Sequence, residues 1–311
     1  MNNCPAFASK SEWHSDEKQD NPNGIWTKDK ITRMAFGRKI RHPEWHSDEK
    51  QDNPNAIRKK THPMPHLLEI CCESVQSALL AQQGGAGRVE LCCDLMQGGL
   101  TPSAGQIEQA KAQLQIPVMV LIRPRKADFL YSELEFEQML ADIRHARRLG
   151  ADGIVSGVLL ANGQIDRERL RRLVAESSPL PFTFHRAFDM CADPLAAIDE
   201  LAKAGVQRIL TSGQRPTAQE GLDNLRRYAE HAAGRLSIMA CGELLPENLE
   251  PVLAIPGITE VHAALRRTVH SQMAHRGGTN MGDEAVEEEF SWHEADLHLV
   301  RAMSQVIRSV Y

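Results

Sequence analysis

The sequence predicts an α/β fold, a closed (β/α)8 TIM barrel behind a disordered N-terminal leader, and three observations carry that prediction. From Leu67 onward, short apolar strands alternate strictly with amphipathic helices through eight units, the pattern of parallel strands joined by helical crossovers. Residues 66–311 supply the roughly 250 residues that such a barrel takes. The stretch Pro181–Asp189, PFTFHRAFD, runs from apolar side chains straight into His185, Arg186 and Asp189. Strand alternation puts Thr183 and His185 on one face and Phe182, Phe184 and Arg186 on the other. A strand that is flanked on both sides and polar on one suits a barrel, whose inner faces meet each other while helices cover the outer ones.

The units follow in order. Leu67–Cys72 (LLEICC) reads as the first strand, and its helix is capped by Ser74 and stopped by Gly84 and Gly85. Arg88–Cys93 (RVELCC) is the second strand, with a helix over Ser103–Leu114. Ile116–Pro124 is the third, with a helix from about Glu133 to Leu149 and Gly150 at its end. Gly153–Leu159 is the fourth, with a helix around Arg167–Glu176. The central stretch is the fifth, and the helix Pro194–Ala204 ends at Gly205. Arg208–Ser212 with Ala218–Ala233, and Leu236–Cys241 with a short helix near Glu247–Leu253, make the sixth and seventh units. Glu260–Leu265 is the eighth strand, and Glu294–Val310 supplies the last helix.

An open, doubly wound sheet is the competing arrangement, and the motifs argue against it. The turn after the first strand reads CCESV where a dinucleotide fold would carry G-x-G-x-x-G. The sequence also lacks a G-x-x-x-x-G-K-[ST] phosphate loop and a G-x-S-x-G nucleophile elbow. Of 311 residues, 42% are hydrophobic, enough for a large core, and a net charge of -5 excludes a general nucleic-acid binder. No apolar run is long enough to span a membrane and no signal peptide is evident, so a cytoplasmic location without membrane contact is expected. Seven cysteines include two adjacent pairs, Cys71-Cys72 and Cys92-Cys93, but no Cys-x-x-Cys; neither a disulfide framework nor structural zinc is indicated.

The first 65 residues differ in kind. EWHSDEKQDNPN occurs at Glu12–Asn23 and again, unchanged, at Glu44–Asn55. Two copies are too few for a repeat fold, and the composition is charged, polar and turn-forming, so residues 1–65 are expected to be disordered or loosely attached. His14 and His46 stand beside acidic residues; a solvated polar repeat accounts for them better than a metal site.

In a barrel the active end is the C-terminal face. By alternation the inward positions toward that end are Glu69 and Cys71, Glu90 and Cys92, Arg123, Thr183 and His185, and Glu260 and His262, with Arg125 and Asp189 just beyond their strands. Taken singly, each carboxylate has a bland explanation, since Arg123 and Arg125 could simply neutralise Glu69, Glu90 and Glu260 in a satisfied polar network. Recurrence of carboxylates, arginines and histidines at one end of five strands points to a ligand site.

At this point the residues carry a resemblance. LLEICCESVQSALLAQQGGAGRVELC, GGLTPS, IPVMVLIRPRKADFLYS, PFTFHRAFDMCADP, RILTSG and EVHAAL together resemble the CutC family of copper homeostasis proteins, over about Leu67 to Leu265 and essentially without gaps. The leader has no counterpart there. The resemblance implies a cytoplasmic TIM barrel, a homo-oligomer, and a role in handling copper as Cu(I) bound by cysteines at the strand ends, which match Cys71 and Cys92 here. The chain departs from the family pattern at Cys241, Gly242 and Glu243, which occupy a glycine-rich turn, and at Ala263, Ala264 and Leu265, where small hydroxyl residues are common.

Two chemical readings of the site remain side by side. Cu(I) is soft and prefers thiolate and thioether ligands, so Cys71 and Cys92 on neighbouring strands suit it, with Met96 and His185 as candidate further ligands. Cys72, Cys93 and Cys191 fit the usual role of buried cysteine as a small hydrophobe. The alternative is an enzyme acting on a small anionic or sugar-like molecule. There His185 would shuttle a proton, Glu90 would be partner acid or base, and Asp189 would stand beside them; Arg123 and Arg125 would fix an anion, with Glu69, Glu260 and His262 completing the substrate site. Glu243 would repel phosphate. A purely structural or interaction role is the third class.

Overall fold

In the computed structural model, residues 66–279, 281 and 289–310 are described; the duplicated segment, and the readings attached to it, lie outside them. Eight parallel strands close into a barrel in the order β1 to β8: β1 Leu67–Cys72, β2 Arg88–Leu91, β3 Val118–Leu121, β4 Gly153–Ser156, β5 Phe182–Phe184, β6 Arg208–Thr211, β7 Ser237–Ala240 and β8 Glu260–Ala263. The helices that cover it are α1 Val75–Gly84, α2 Ala104–Gln113, α3 Glu133–Arg148, α4 Arg167–Ser177, α5 Pro194–Ala204, α6 Leu222–Ala232, α7 Glu250–Leu253 and α8 Leu297–Ser309. Among the described residues no helix is long and apolar enough to cross a membrane.

Local sequence sets the helix ends. Ser74 accepts the Ser77 amide at the start of α1, and Gly85 ends it in the left-handed region, at φ 95°. Ser103 and Ser132 form capping boxes with Gln106 and Glu135, which satisfy amides that a helix start leaves free. Asp193 caps α5, whose first residue is Pro194.

The register shows which residues share the barrel interior. Cys71 pairs with Glu90, Glu69 with Arg88 and His262, Glu90 with Met119, and Leu121 with Val155. The chain of like pairs continues through Thr183 and Arg208, Leu210 and Met239, and Met239 and Glu260. Residues of the other parity, including Ile70, Val89, Val120, Ile154, Phe184 and Ile209, belong to the main core shared with the helices. Small apolar groups lie inside, one of Cys71, Cys92, Met119, Leu121 and Val155, the other of Leu210, Met239 and Cys241. Gly153 makes the first possible: a Cβ there would stand 2.1 Å from Met119 Cε.

Several strands stop short of their expected ends. β4 ends at Ser156 rather than Leu159, and β3 at Leu121 rather than Pro124, because the chain peels away there to form the rim. The eighth unit differs more. After β8 the chain makes a hairpin of β9 Arg266–His270 and antiparallel β10 Ser291–Ala295. Glu294 therefore lies in a strand, and α8 begins only after the Asp296 cap.

Candidate functional site

The mouth of the barrel is a cavity of about 430 Å³. Strands β8, β1 and β2, which are contiguous in the barrel, contribute His262, Cys71 and Glu90; Arg123, Phe129 and His185 come from the ends of β3 and β5 and the loop between β3 and α3.

On the first wall the sulfurs of Cys71 and Cys92 are 3.5 Å apart. Both residues are buried, and Cys92 Sγ also donates to the Cys72 carbonyl oxygen at 3.6 Å. Gly99, at φ 83°, lets the loop close over this pair, since a Cβ would come within 2.8 Å of Leu121 Cδ2 and 3.7 Å of Cys92 Sγ. The contact with Cys92, then burial, then nearby negative charge push the Cys71 thiol well above its usual pKa. Ligand atoms of Cys71, Glu90 and His262 all lie within 4.8 Å of one another.

His262 is oriented by carboxylates. Its Nδ1 is 2.8 Å from Glu69 Oε1, and its Nε2 faces Glu90 Oε2 at 3.6 Å. Burial opposes protonation, yet the Glu69 hydrogen bond and the two negative charges prevail and raise its pKa. Glu90 moves the other way from most carboxylates: burial first, with the Glu69 charge, raises its pKa against the pull of His262 and Arg88.

On the second wall, His185 ends its strand and caps a 3-10 turn over Arg186–Met190, its Nδ1 accepting the Ala187 amide at 3.1 Å. Gly157 gives the ring room, because a Cβ there would lie 2.7 Å from Nδ1 and Cε1. Burial, and secondarily the Arg123 charge, hold the His185 pKa down at about 3. In this setting His185 is a neutral imidazole with Nδ1 engaged, which leaves Nε2 as the nitrogen available to a ligand or a proton.

The remaining expected site residues divide. Arg123 borders the cavity, but Arg125 does not: its guanidinium reaches Glu135 at 2.6 Å, Asp128 at 3.1 Å and the Leu130 carbonyl at 2.7 Å, packed on the Tyr131 ring. Asp189 stands outside the cavity lining and anchors the β6 end, accepting from Thr211 Oγ1, the amides of Ser212 and Gln214, and Arg186 Nε. Glu69 and Glu260 lie below the mouth, tied to Arg88, and Glu260 also to Arg208, which donates from Nη1 to Thr183 Oγ1 at 3.1 Å. For Glu69 and Glu260 the neutralisation expected from Arg123 and Arg125 is thus performed by Arg88 and Arg208, while Glu90 faces His262.

Met96 is 61% exposed and takes a contact from Arg266 Nη1 at 3.6 Å. Cys72 and Cys191 are buried in the main core, whereas Cys93 is half-buried, its Sγ donating to the Thr101 carbonyl oxygen. Several residues at the mouth were missed, Phe129 and Arg266 among them, and two others had a signal in the sequence or a reason for being hidden. Cys241 faces inward beside Leu210 and Met239, as its spacing from Met239 signals. Arg186 borders the cavity although strand parity puts it outside, because the strand has already given way to the turn.

Comparisons with known proteins place this geometry. A sequence profile of the CutC family matches residues 66–267. The copper homeostasis protein cutC homologs of Mus musculus and Homo sapiens are each 45% identical over 245 residues, 78% of this chain and 90% of theirs. A CutC family protein of Chromobacterium violaceum is 43% identical over 78% of this chain and 99% of its own. The crystal structure of CutC from Streptococcus agalactiae is similar with a TM-score of 0.61 at 35% identity, over 63% of this chain and 97% of that one. A barrel with these motifs, matched by the family profile over most of its length and by relatives nearly end to end, belongs to the CutC family.

Proposed function

We propose that the protein handles copper as Cu(I), taken up at the foot of the barrel mouth by the thiolates of Cys71 and Cys92, with His262 as third donor. The observation that carries this reading is the 3.5 Å approach of the two sulfurs, with an imidazole and a carboxylate gathered round Cys71. Two sulfurs and an imidazole are a soft donor set of the kind that favours Cu(I) over hard divalent ions. Glu69 supports it from behind: accepting from Nδ1 leaves His262 Nε2 toward the cavity, the carboxylate–histidine arrangement that orients metal-binding imidazoles. Because both ligands must lose protons, uptake releases protons and strengthens with pH. The names of the relatives agree with a copper role.

The cargo site works in a reducing, cytoplasmic setting, which the six free cysteines of the described residues suit, and the functional unit is a homo-oligomer, as the family resemblance implies. The deciding experiment is a Cu(I) competition titration against a chromophoric chelator on reduced protein. Cys71→Ser/Cys92→Ser is expected to abolish binding, and Cys72→Ser/Cys93→Ser to leave it intact. Binding that survives in the first variant, or is lost in the second, overturns the assignment. Absence of Cu(I) binding by the unaltered chain overturns the copper function itself.

A further inference from the structure

We infer that the second wall of the mouth is a binding site for a small organic monocarboxylate, whose carboxylate is received by Arg123 and His185. Arg123 is only 6% exposed. Its guanidinium donates to main-chain oxygens, from Nη1 to Gln97 at 2.9 Å and Gly99 at 3.1 Å and from Nη2 to Ala127 at 2.8 Å; the neutral Tyr131 hydroxyl is nearby, and Nε has no partner within hydrogen-bond geometry. Among the described residues no carboxylate is within ion-pair distance of it. A guanidinium keeps its charge even when buried, and a buried charge without a counter-charge is costly.

The other cations at the cavity are answered. Arg186 pairs with Asp189 at 2.8 Å, Arg266 with Glu73 at 3.5 Å, and His262 lies between Glu69 and Glu90. Among the described residues Arg123 is the cation at the cavity that lacks an acidic partner, which suits a monoanion.

His185 supplies the second donor. The residue is 5% exposed, its Nδ1 is occupied by the Ala187 amide, and its buried Nε2 has no partner. With Nδ1 accepting, the ring hydrogen is assigned to Nε2, and the edge backed by Gly157 is the Nδ1–Cε1 edge. The remaining edge belongs to a residue that borders the cavity. A buried donor left unsatisfied costs about 1–3 kcal/mol, so an acceptor is expected there. Because the imidazole stays neutral, with a pKa near 3, it presents an N–H at any physiological pH.

Phe129 touches both donors: the His185 ring centroid is 4.8 Å from its own and Arg123 Cζ is 5.1 Å from it, and the Arg123 charge is near enough to act on the imidazole. Both groups offer hydrogens and neither offers an electron pair, so this wall takes an anion and refuses a metal ion. Leu121, Leu210, Leu244 and Leu265 also line the cavity, which gives a hydrocarbon body apolar surface to rest on. At about 430 Å³ it falls within the roughly 300–1,000 Å³ of small-molecule sites. Glu243 at the rim opposes any anion and opposes a phosphate dianion more strongly than a monocarboxylate.

The test uses metal-free full-length protein, so its outcome does not depend on the copper reading. Short straight-chain and branched monocarboxylates, their amides and inorganic phosphate are titrated by calorimetry and ligand-observed NMR. At least one carboxylate is expected to bind, about tenfold or more tighter than its amide, as loss of a charge-assisted hydrogen bond implies, and phosphate is not expected to displace it. Arg123→Gln should erase the preference for acid over amide. The inference falls if no carboxylate binds, if amides bind equally well, if phosphate displaces the acid, or if a folded Arg123→Gln chain keeps the preference. Should Arg123→Gln not fold, the comparison of acid with amide on the unaltered chain decides, and His185→Ala, expected to weaken the acid, gives the independent variant.

Discussion

His262 Nδ1 stands 2.8 Å from Glu69 Oε1, while Nε2 of the same ring lies 3.6 Å from Glu90 Oε2. One carboxylate therefore fixes the ring and the other shares its free nitrogen with Cys71. Glu69 is itself held by Arg88, which also engages Glu260, so the orientation of a mouth residue is set by an ion-pair network one layer deeper. Charge below the mouth determines what the mouth can present.

Replacement of that fixing group gives the first prediction. Glu69→Gln keeps the volume but weakens the acceptor for His262 and removes one partner of Arg88. Loss of an orienting group behind a metal ligand costs about 10- to 100-fold in affinity, and that loss is expected in the Cu(I) competition titration, with both thiols still reactive. An affinity within twofold of the unaltered chain would show that Glu69 serves the fold alone.

The acid side of the stability curve reports on His185. Its folded pKa of about 3 lies below the usual unfolded value of about 6.5, so the unfolded chain binds the extra proton. Its contribution is full above pH 6.5 and is lost as pH falls toward 3, with a slope of up to ~1.4 kcal/mol per pH unit. Urea unfolding of the unaltered chain and His185→Gln across this range should give curves that converge as pH falls. Parallel curves would mean that the imidazole is hydrated and protonates freely in the folded state.

Which face each strand residue takes was legible in the sequence, because Glu69 and Glu90 could not sit beneath an apolar helix layer, and their parity carried Cys71 and Cys92 with them. The same rule would have found Cys241 from Met239. Depth was not legible. Neighbouring barrel strands are staggered, so Glu260 pairs with Leu67 and Met239 well below the mouth, and nothing in a single strand announces that offset. Parity also failed where a strand stopped: Arg186 follows His185 into a turn and swings back to the cavity. Arg125 was misplaced although Asp128, three residues on, already offered it a local partner. The hairpin of β9 and β10 has short, polar strands with no apolar alternation, and so gave no signal.

Residues 1–65 offer a composition without an apolar face to bury, and β1 begins only at Leu67. Deletion of Met1–Pro65 is accordingly expected to leave the thermal midpoint within about 2 °C, a shift corresponding to about 0.5–1 kcal/mol at most for a barrel of this size. Calorimetry of the shortened chain checks it. A large drop would show that the duplicated segment contributes to the stability of the barrel.

Gly157 tests how tightly the second wall is built. A Cβ at this position would lie 2.7 Å from His185 Nδ1 and Cε1 and 3.1 Å from Ala187 Cβ, and His185 has Phe129 against its other side, ring centroids 4.8 Å apart. The imidazole cannot withdraw without lengthening its hydrogen bond from the Ala187 amide, which begins the 3-10 turn leading to Asp189. Overpacking of this kind costs about 1–3 kcal/mol. Gly157→Ala is therefore expected to lower the urea midpoint accordingly and, by moving His185, to weaken the monocarboxylate site more than the thiol pair, which lies on β1 and at the end of β2. Gly153→Ala, which would strike Met119 Cε at 2.1 Å, is expected to lower stability through the packing beneath Cys71 and Cys92 instead. Equal effects of the two substitutions on carboxylate binding and Cu(I) binding would show that the mouth responds as one unit, and would remove the distinction between its walls.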